Sequence, residues 1–164
     1  MKAFLDTEFI EDGKTIDLIS IGIVRENDTT FYAISSEFDE SKASVWVREN
    51  VLIHLPPPEV QKRYPRAEIA QMIRDFFWDD LKPEFWGYYA DYDWVVFAQL
   101  YGRMIDLPED WPRYCRDLKQ LADDIGITLP QPVEIEHHAL ADAQWIKEGY
   151  AICQERIEKG QRCS

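Results

Sequence analysis

Asp6 and Glu8 stand two residues apart where a short apolar run, residues 2–6, meets an acidic segment. In an extended strand such a pair projects from one face. Two carboxylates side by side suit hard divalent cations, which prefer oxygen ligands, and repel each other without a metal or proton between them. An exposed acidic strand end has the same spacing, so the spacing alone fits both readings. Asp93 follows Tyr92 in the first turn of a predicted helix, with Val96, Phe97 and Leu100 on its side at intervals of three, four and seven. Its carboxylate therefore starts a face that otherwise packs inward, and neighbouring Asp91 reads as an N-cap or solvent residue. Asp142 lies near the edge of the apolar stripe of the last predicted helix, while Lys147 and Glu148 fall on its outer face. His137 and His138 precede that helix, and either is a competent proton acceptor near neutrality. Periodicity does not choose between them.

The elements that must position these groups read as a meander followed by alternating helices and strands. After residues 2–6, Glu11-Asp12-Gly13-Lys14 is a turn. Thr15 to Val24 is apolar on both faces, as in a covered central strand, and Thr29 to Ser35 is a third strand. A modest helix is expected over 41–52, from Val45, Trp46 and Val51, before Pro56-Pro57-Pro58 breaks regularity. Arg66 to Trp78 reads as a helix, Glu84 to Tyr89 as an aromatic strand, and a helix follows to about Tyr101. Tyr114-Cys115 is a candidate strand and Asp117 to Asp124 a helix. Ala139, Ala143, Ile146, Tyr150, Cys153 and Ile157 mark the final helix. The pattern is an α/β fold with a mixed central sheet flanked by helices. One domain over 1–159 is expected, with a flexible tail at 160–164.

The 164 residues suffice for one core, with 46% hydrophobic and 13% aromatic residues. No apolar run approaches a bilayer span, and the opening MKAFLDTEF lacks a secretory signal pattern. Three scattered cysteines offer neither a disulfide framework nor a zinc cluster, so a cytoplasmic address without membrane association is expected. The net charge of −13 argues against capture of nucleic acid by a basic surface. It does not exclude a nucleic-acid enzyme, because carboxylates loaded with cations reverse the local sign.

The residues so placed resemble the motifs of the DEDD exonuclease superfamily, in the branch whose general base is histidine (DEDDh). Asp6-Thr7-Glu8-Phe9 is similar to its first motif, Tyr92-Asp93 to the aromatic-Asp pair of its second, and His137-His138-Ala139-Leu140-Ala141-Asp142 to its third. The match selects His137 over His138. Cys115-Arg116-Asp117-Leu118 departs from the Asp-Thr-Leu segment of many relatives, and Tyr88-Tyr89 stands where many have His-Asn. A closer resemblance is to bacterial polyadenylate-specific 3′-exoribonucleases. It is carried by residues 6–24, Trp46-Val47-Arg48, Leu55-Pro56-Pro57-Pro58 and Ala90-Asp91-Tyr92-Asp93, and covers roughly residues 1–155.

This resemblance implies an RNase H-like fold and hydrolysis of single-stranded RNA from its 3′ end, with release of nucleoside 5′-monophosphates and a preference for adenylate-rich RNA. It implies that Asp6, Glu8, Asp93 and Asp142 hold two Mg²⁺ ions, with Mn²⁺ as a substitute, and that His137 is the general base. Glu8 is also expected in a dual catalytic role and at the ribose. A homodimer is expected on the same ground. Phe9, Tyr92 and Trp46 are candidate base contacts and Arg48 and Arg116 candidate phosphate contacts. For each of these, packing or an ordinary surface role fits the sequence as well. Two other readings remain: a DNA exonuclease or proofreading module on the same fold, and a non-catalytic protein-binding adaptor.

Overall fold

The structure, a computed structural model, describes residues 1–80, 82–132 and 137–161. Strands β1 (Lys2–Glu11), β2 (Ile16–Arg25) and β3 (Thr30–Ser35) form the expected antiparallel meander. The β1–β2 turn is closed by the Asp12 carboxylate, which accepts the N–H groups of Lys14 and Thr15 at 2.9 and 2.7 Å, around Gly13 at φ 79°. Three short strands complete a six-stranded mixed sheet of order β4-β3-β2-β1-β5-β6. They are β4 (Arg63–Tyr64), β5 (Glu84–Gly87) and β6 (Arg116–Asp117), each parallel to its inner neighbour. The helices are α1 (Val45–Asn50), α2 (Arg66–Phe76), α3 (Asp91–Gln99), α4 (Leu118–Asp124) and α5 (Ala139–Gln161). This is an α/β fold consistent with the RNase H-like architecture.

Alternation along β1 divides the core into two layers. Ala3 and Leu5 pack with Ile69 and Ile73 of α2 and with Val96 and Phe97 of α3, whereas Phe4 packs with Leu118 of α4 and Ile146 and Cys153 of α5. Even-numbered positions of β1 therefore face α5 and odd-numbered ones face α3, until the register shifts between Glu8 and Phe9.

Several local expectations are corrected. The first strand does not stop at Asp6: β2 pairs with β1 along its whole length, so the acidic pair lies within the strand. β5 pairs with β1 only as far as Phe4, which leaves Asp6 and Glu8 beside a notch at the C-terminal end of the parallel pair. That is where ligands bind in open α/β sheets. The helix expected over 41–52 is split into α1 between two 3₁₀ turns, with Val45 and Trp46 exposed and only Val51 of the apolar set buried. Its short polar stretches are closed locally by the Asp39 and Ser44 side chains. The strand expected at Tyr114-Cys115 lies two residues later, as β6. Of the two readings of Asp91, the solvent one holds: Ala90 is the residue before α3, and Asp91 is exposed in its first turn. Lys147 is no outer-face residue: its ammonium donates to the carbonyls of Arg25 and Glu26 and to Asp28, and so ties α5 to the β2–β3 turn. Gly160 and Gln161 continue α5, while the rest of the expected tail, 162–164, lies outside the described residues.

Candidate active site

Asp6 and Glu8 face α5, and the first turn of α5 comes down directly onto the sheet. The contact depends on Gly22, since a Cβ there would lie 2.3 Å from the carbonyl oxygen of Ala139 and 2.4 Å from the nitrogen of Leu140. Gly22 is the register partner of Asp6 on one side and of Tyr32 on the other. Over Tyr32 the His138 ring is stacked, with centroids 4.7 Å apart and planes 21° from parallel. The His138 N–H donates to Asp142 Oδ2 at 3.1 Å, and the Asp142 N–H returns to the His138 carbonyl at 3.0 Å. His137 precedes this turn in the left-handed region, at φ 66°, with Trp46 edge-on to its ring at 4.6 Å. The two histidines thus have different surroundings: His137 lines the central cleft, and His138 packs on Tyr32.

A carboxylate oxygen from each of Asp6, Glu8 and Asp142 lies within 4.8 Å of the others. Asp93 arrives from the opposite layer. Thr7, the odd-numbered residue between the two acids, faces α3, and both its N–H and its hydroxyl donate to Asp93 Oδ1, at 2.9 and 2.5 Å. A threonine in the middle of the motif therefore fixes the carboxylate of a helix more than eighty positions away. The loop before α3 is held in turn by Asp117, whose carboxylate accepts the N–H of Ala90 at 2.9 Å and caps α4 through Lys119 and Gln120. Asp117, in the segment that departs from the superfamily pattern, thus positions the loop before α3.

Burial, reinforced by Asp93, Glu8 and Asp142, holds the Asp6 carboxyl well above the usual range. Burial and the charges of Asp142 and Asp93 raise Glu8 to about 8. Burial raises Asp93 to about 6 against the two bonds from Thr7, and raises Asp142 against the bond from His138. The cause is physical: four acids share a desolvated site, and no lysine or arginine is among the described residues lining it. Cations are what such a donor set lacks, and hard oxygen donors at this spacing fit divalent ones.

The cleft has a volume of about 340 Å³ and extends beyond the acids. Phe9 lines it, backed edge-on by the exposed Tyr92 at 5.9 Å. Trp46 borders it through His137. The two candidate arginines are placed elsewhere: the Arg48 guanidinium donates to the carbonyls of Ala43 and Glu40, and that of Arg116 lies over Trp86 and Tyr114 beside Glu84. Sequence reading missed the other end of the cleft, formed by Tyr88, Leu129, Gln131, Pro132, Trp145 and Ile146. Trp145 and Ile146 stand three and four residues after Asp142 and share its helix face, a spacing that could have pointed to them. Nothing local marks Leu129.

Residues 1–153 match the family described as the 3′-5′ exoribonuclease Rv2179c-like domain. Two curated relatives, from Mycobacterium tuberculosis strains CDC 1551 / Oshkosh and H37Rv, are the 3′-5′ exoribonucleases MT2234.1 and Rv2179c. Each is 45% identical over 148 residues, covering 88% of this chain and 88% of the relative. The match spans all four clustered acids and His137, and on it the chain belongs to the Rv2179c-like 3′-5′ exoribonuclease domain family.

Proposed function

We propose that this protein is a metal-dependent 3′→5′ exoribonuclease of DEDDh type, hydrolysing single-stranded RNA to nucleoside 5′-monophosphates. The observation that carries the reading is the meeting of Asp6, Glu8 and Asp142 within 4.8 Å, in one cleft with Asp93 and His137, in a chain of an exoribonuclease family. Asp6, Glu8, Asp93 and Asp142 would hold two Mg²⁺ ions, or Mn²⁺ in their place. When bound, these supply the positive charge that acidifies a water and stabilises the departing 3′ oxygen.

The chain's own groups do the rest. His137 accepts the proton of the water that attacks the terminal phosphodiester, and Trp46 restricts its ring. Thr7 orients Asp93, and the His138 N–H orients Asp142. Glu8, nearly buried, is also available to accept from a 2′-hydroxyl, which would favour RNA over DNA. Adenylate preference, a homodimer and a cytoplasmic setting are proposed from the resemblance to polyadenylate-specific exoribonucleases. The free thiols of Cys115 and Cys153 are compatible with that setting.

The test is product analysis on uniformly labelled and 5′-labelled homopolymeric RNAs and matched DNAs, the first reading released mononucleotides and the second polarity, with Mg²⁺, Mn²⁺ or chelator. Mononucleotide release from RNA, fastest on oligoadenylate and abolished by chelator, is the expected result. Faster cleavage of DNA would sink the RNA assignment, and the absence of mononucleotides with either metal would sink the enzymatic one.

A further inference from the structure

Beside the carboxylates the sheet carries two hydroxyls that the hydrolytic step does not use. Ser20 is the register partner of Glu8, Gly22 that of Asp6, and Tyr32 that of Gly22. Directly opposed residues of an antiparallel pair project from one face, so Glu8, Ser20 and Tyr32 all stand on the side that faces α5. Ser20 is only 1% exposed. Its other cross-strand neighbour, Ile34, is fully buried and has no polar atom in its side chain. Glu8 is therefore the side-chain acceptor that the sheet sets opposite the Ser20 hydroxyl.

The Tyr32 hydroxyl lies against that of Ser20 and within the field of Glu8. His138, stacked on the Tyr32 ring, holds the phenol in place. Among the described residues neither hydroxyl completes a hydrogen bond, although both oxygens are shut off from solvent. A buried hydroxyl without a partner is destabilising, and in folded proteins such groups nearly always find one. The acceptor both can share is the Glu8 carboxylate, whose two oxygens offer about four lone-pair sites. Resting on the metal-dependent reading, we infer that Ser20 and Tyr32 are positioning residues for Glu8. When Glu8 holds a divalent cation, the Ser20 hydroxyl donates to its carboxylate and the Tyr32 hydroxyl donates to Ser20 Oγ. This relay fixes the rotation of the carboxylate, as hydrogen-bonded outer groups do at other metal-ligating carboxylates.

The test is equilibrium Mn²⁺ binding at fixed pH, read from the electron paramagnetic resonance of free Mn²⁺, with the Tm of the metal-free protein measured alongside. S20A and Y32F should both weaken Mn²⁺ binding, S20A on the order of tenfold. Their metal-free Tm should be unchanged or higher, because the deleted hydroxyl had no partner there. S20A/Y32F should bind no more weakly than S20A, since Tyr32 acts through Ser20. The isosteric pair S20T and S20V shares the cost of an added methyl group and differs in the hydroxyl. S20T should therefore bind about tenfold more tightly than S20V. Wild-type affinity in S20A, or equal affinity in S20T and S20V, refutes the relay and leaves a packing role. Losses in S20A and Y32F that add in the double variant refute it too. If S20A lowers the metal-free Tm, the comparison of S20T with S20V alone decides. Mn²⁺ binding with these differences, in a protein that releases no mononucleotide, would overturn the hydrolytic reading and leave the relay standing. A wild type that takes up no Mn²⁺ would overturn the metal-dependent reading and the relay with it.

Discussion

Thr7 donates twice to one oxygen of Asp93, from its backbone and from its hydroxyl, and so joins the central strand to α3 at the edge of the cleft. Both bonds oppose the burial that lifts the Asp93 carboxyl to about 6. In T7V the hydroxyl bond is lost and the backbone bond remains. The expected outcome is a loss of about 1 kcal/mol of stability and an upward shift of the acid limb of the rate–pH profile. An unshifted limb in a folded T7V protein would show that Asp93 ionisation does not limit the reaction.

Gly22 is where two backbones meet. In G22A the new methyl group points at the Ala139 carbonyl, a main-chain atom that cannot rotate away. α5 must lift from the sheet, carrying Asp142 and His137 with it. A destabilisation of about 1–3 kcal/mol, read as a lower Tm, is expected together with weaker divalent-cation binding. An unchanged Tm with normal cation affinity would mean that the sheet absorbs the methyl group.

The acids make stability depend on pH in a definite direction. Asp6, Glu8, Asp93 and Asp142 all have raised folded-state values, so the folded chain holds more protons than the unfolded one between pH about 4 and about 8. With ∂ΔG/∂pH following the difference in bound protons, unfolded minus folded, the metal-free protein loses stability as pH rises through that window. Mg²⁺ or Mn²⁺ competes with those protons, so the Tm increment from added cation should be larger at pH 8 than at pH 5. Calorimetry with chelator and with each metal measures it. Equal increments at the two pH values would separate cation binding from these carboxylates.

The adjacent histidines give a paired test. H137A should lower kcat by about 10²–10⁴-fold while keeping the cation-dependent rise in Tm, since a proton acceptor is lost and the carboxylates remain. H138A removes the ring on Tyr32 but leaves the backbone N–H that serves Asp142. Its main expected effect is on stability, with the pH profile unchanged. Reversal of the two phenotypes would exchange the assigned roles.

Local order along the chain settled a good deal: strand periodicity, the meander and the final helix follow from which residues are apolar and how they alternate, because burial on one or two faces leaves that imprint. The ordered motifs likewise singled out Asp6, Glu8, Asp93, His137 and Asp142, and the structure brings them to one cleft. The pattern misplaced features set by competition between neighbours. The end of β1 depends on how far β2 and β5 accompany it, and β4 and β6 are two-residue strands defined by their partners. Only the tertiary structure decided that Thr7 serves Asp93 from the opposite layer, that Gly22 seats α5, and that Tyr88, Leu129 and Trp145 close the far end of the cleft. Each of these is a contact between residues distant in the chain, whose energy depends on approach in space and leaves no period in the sequence.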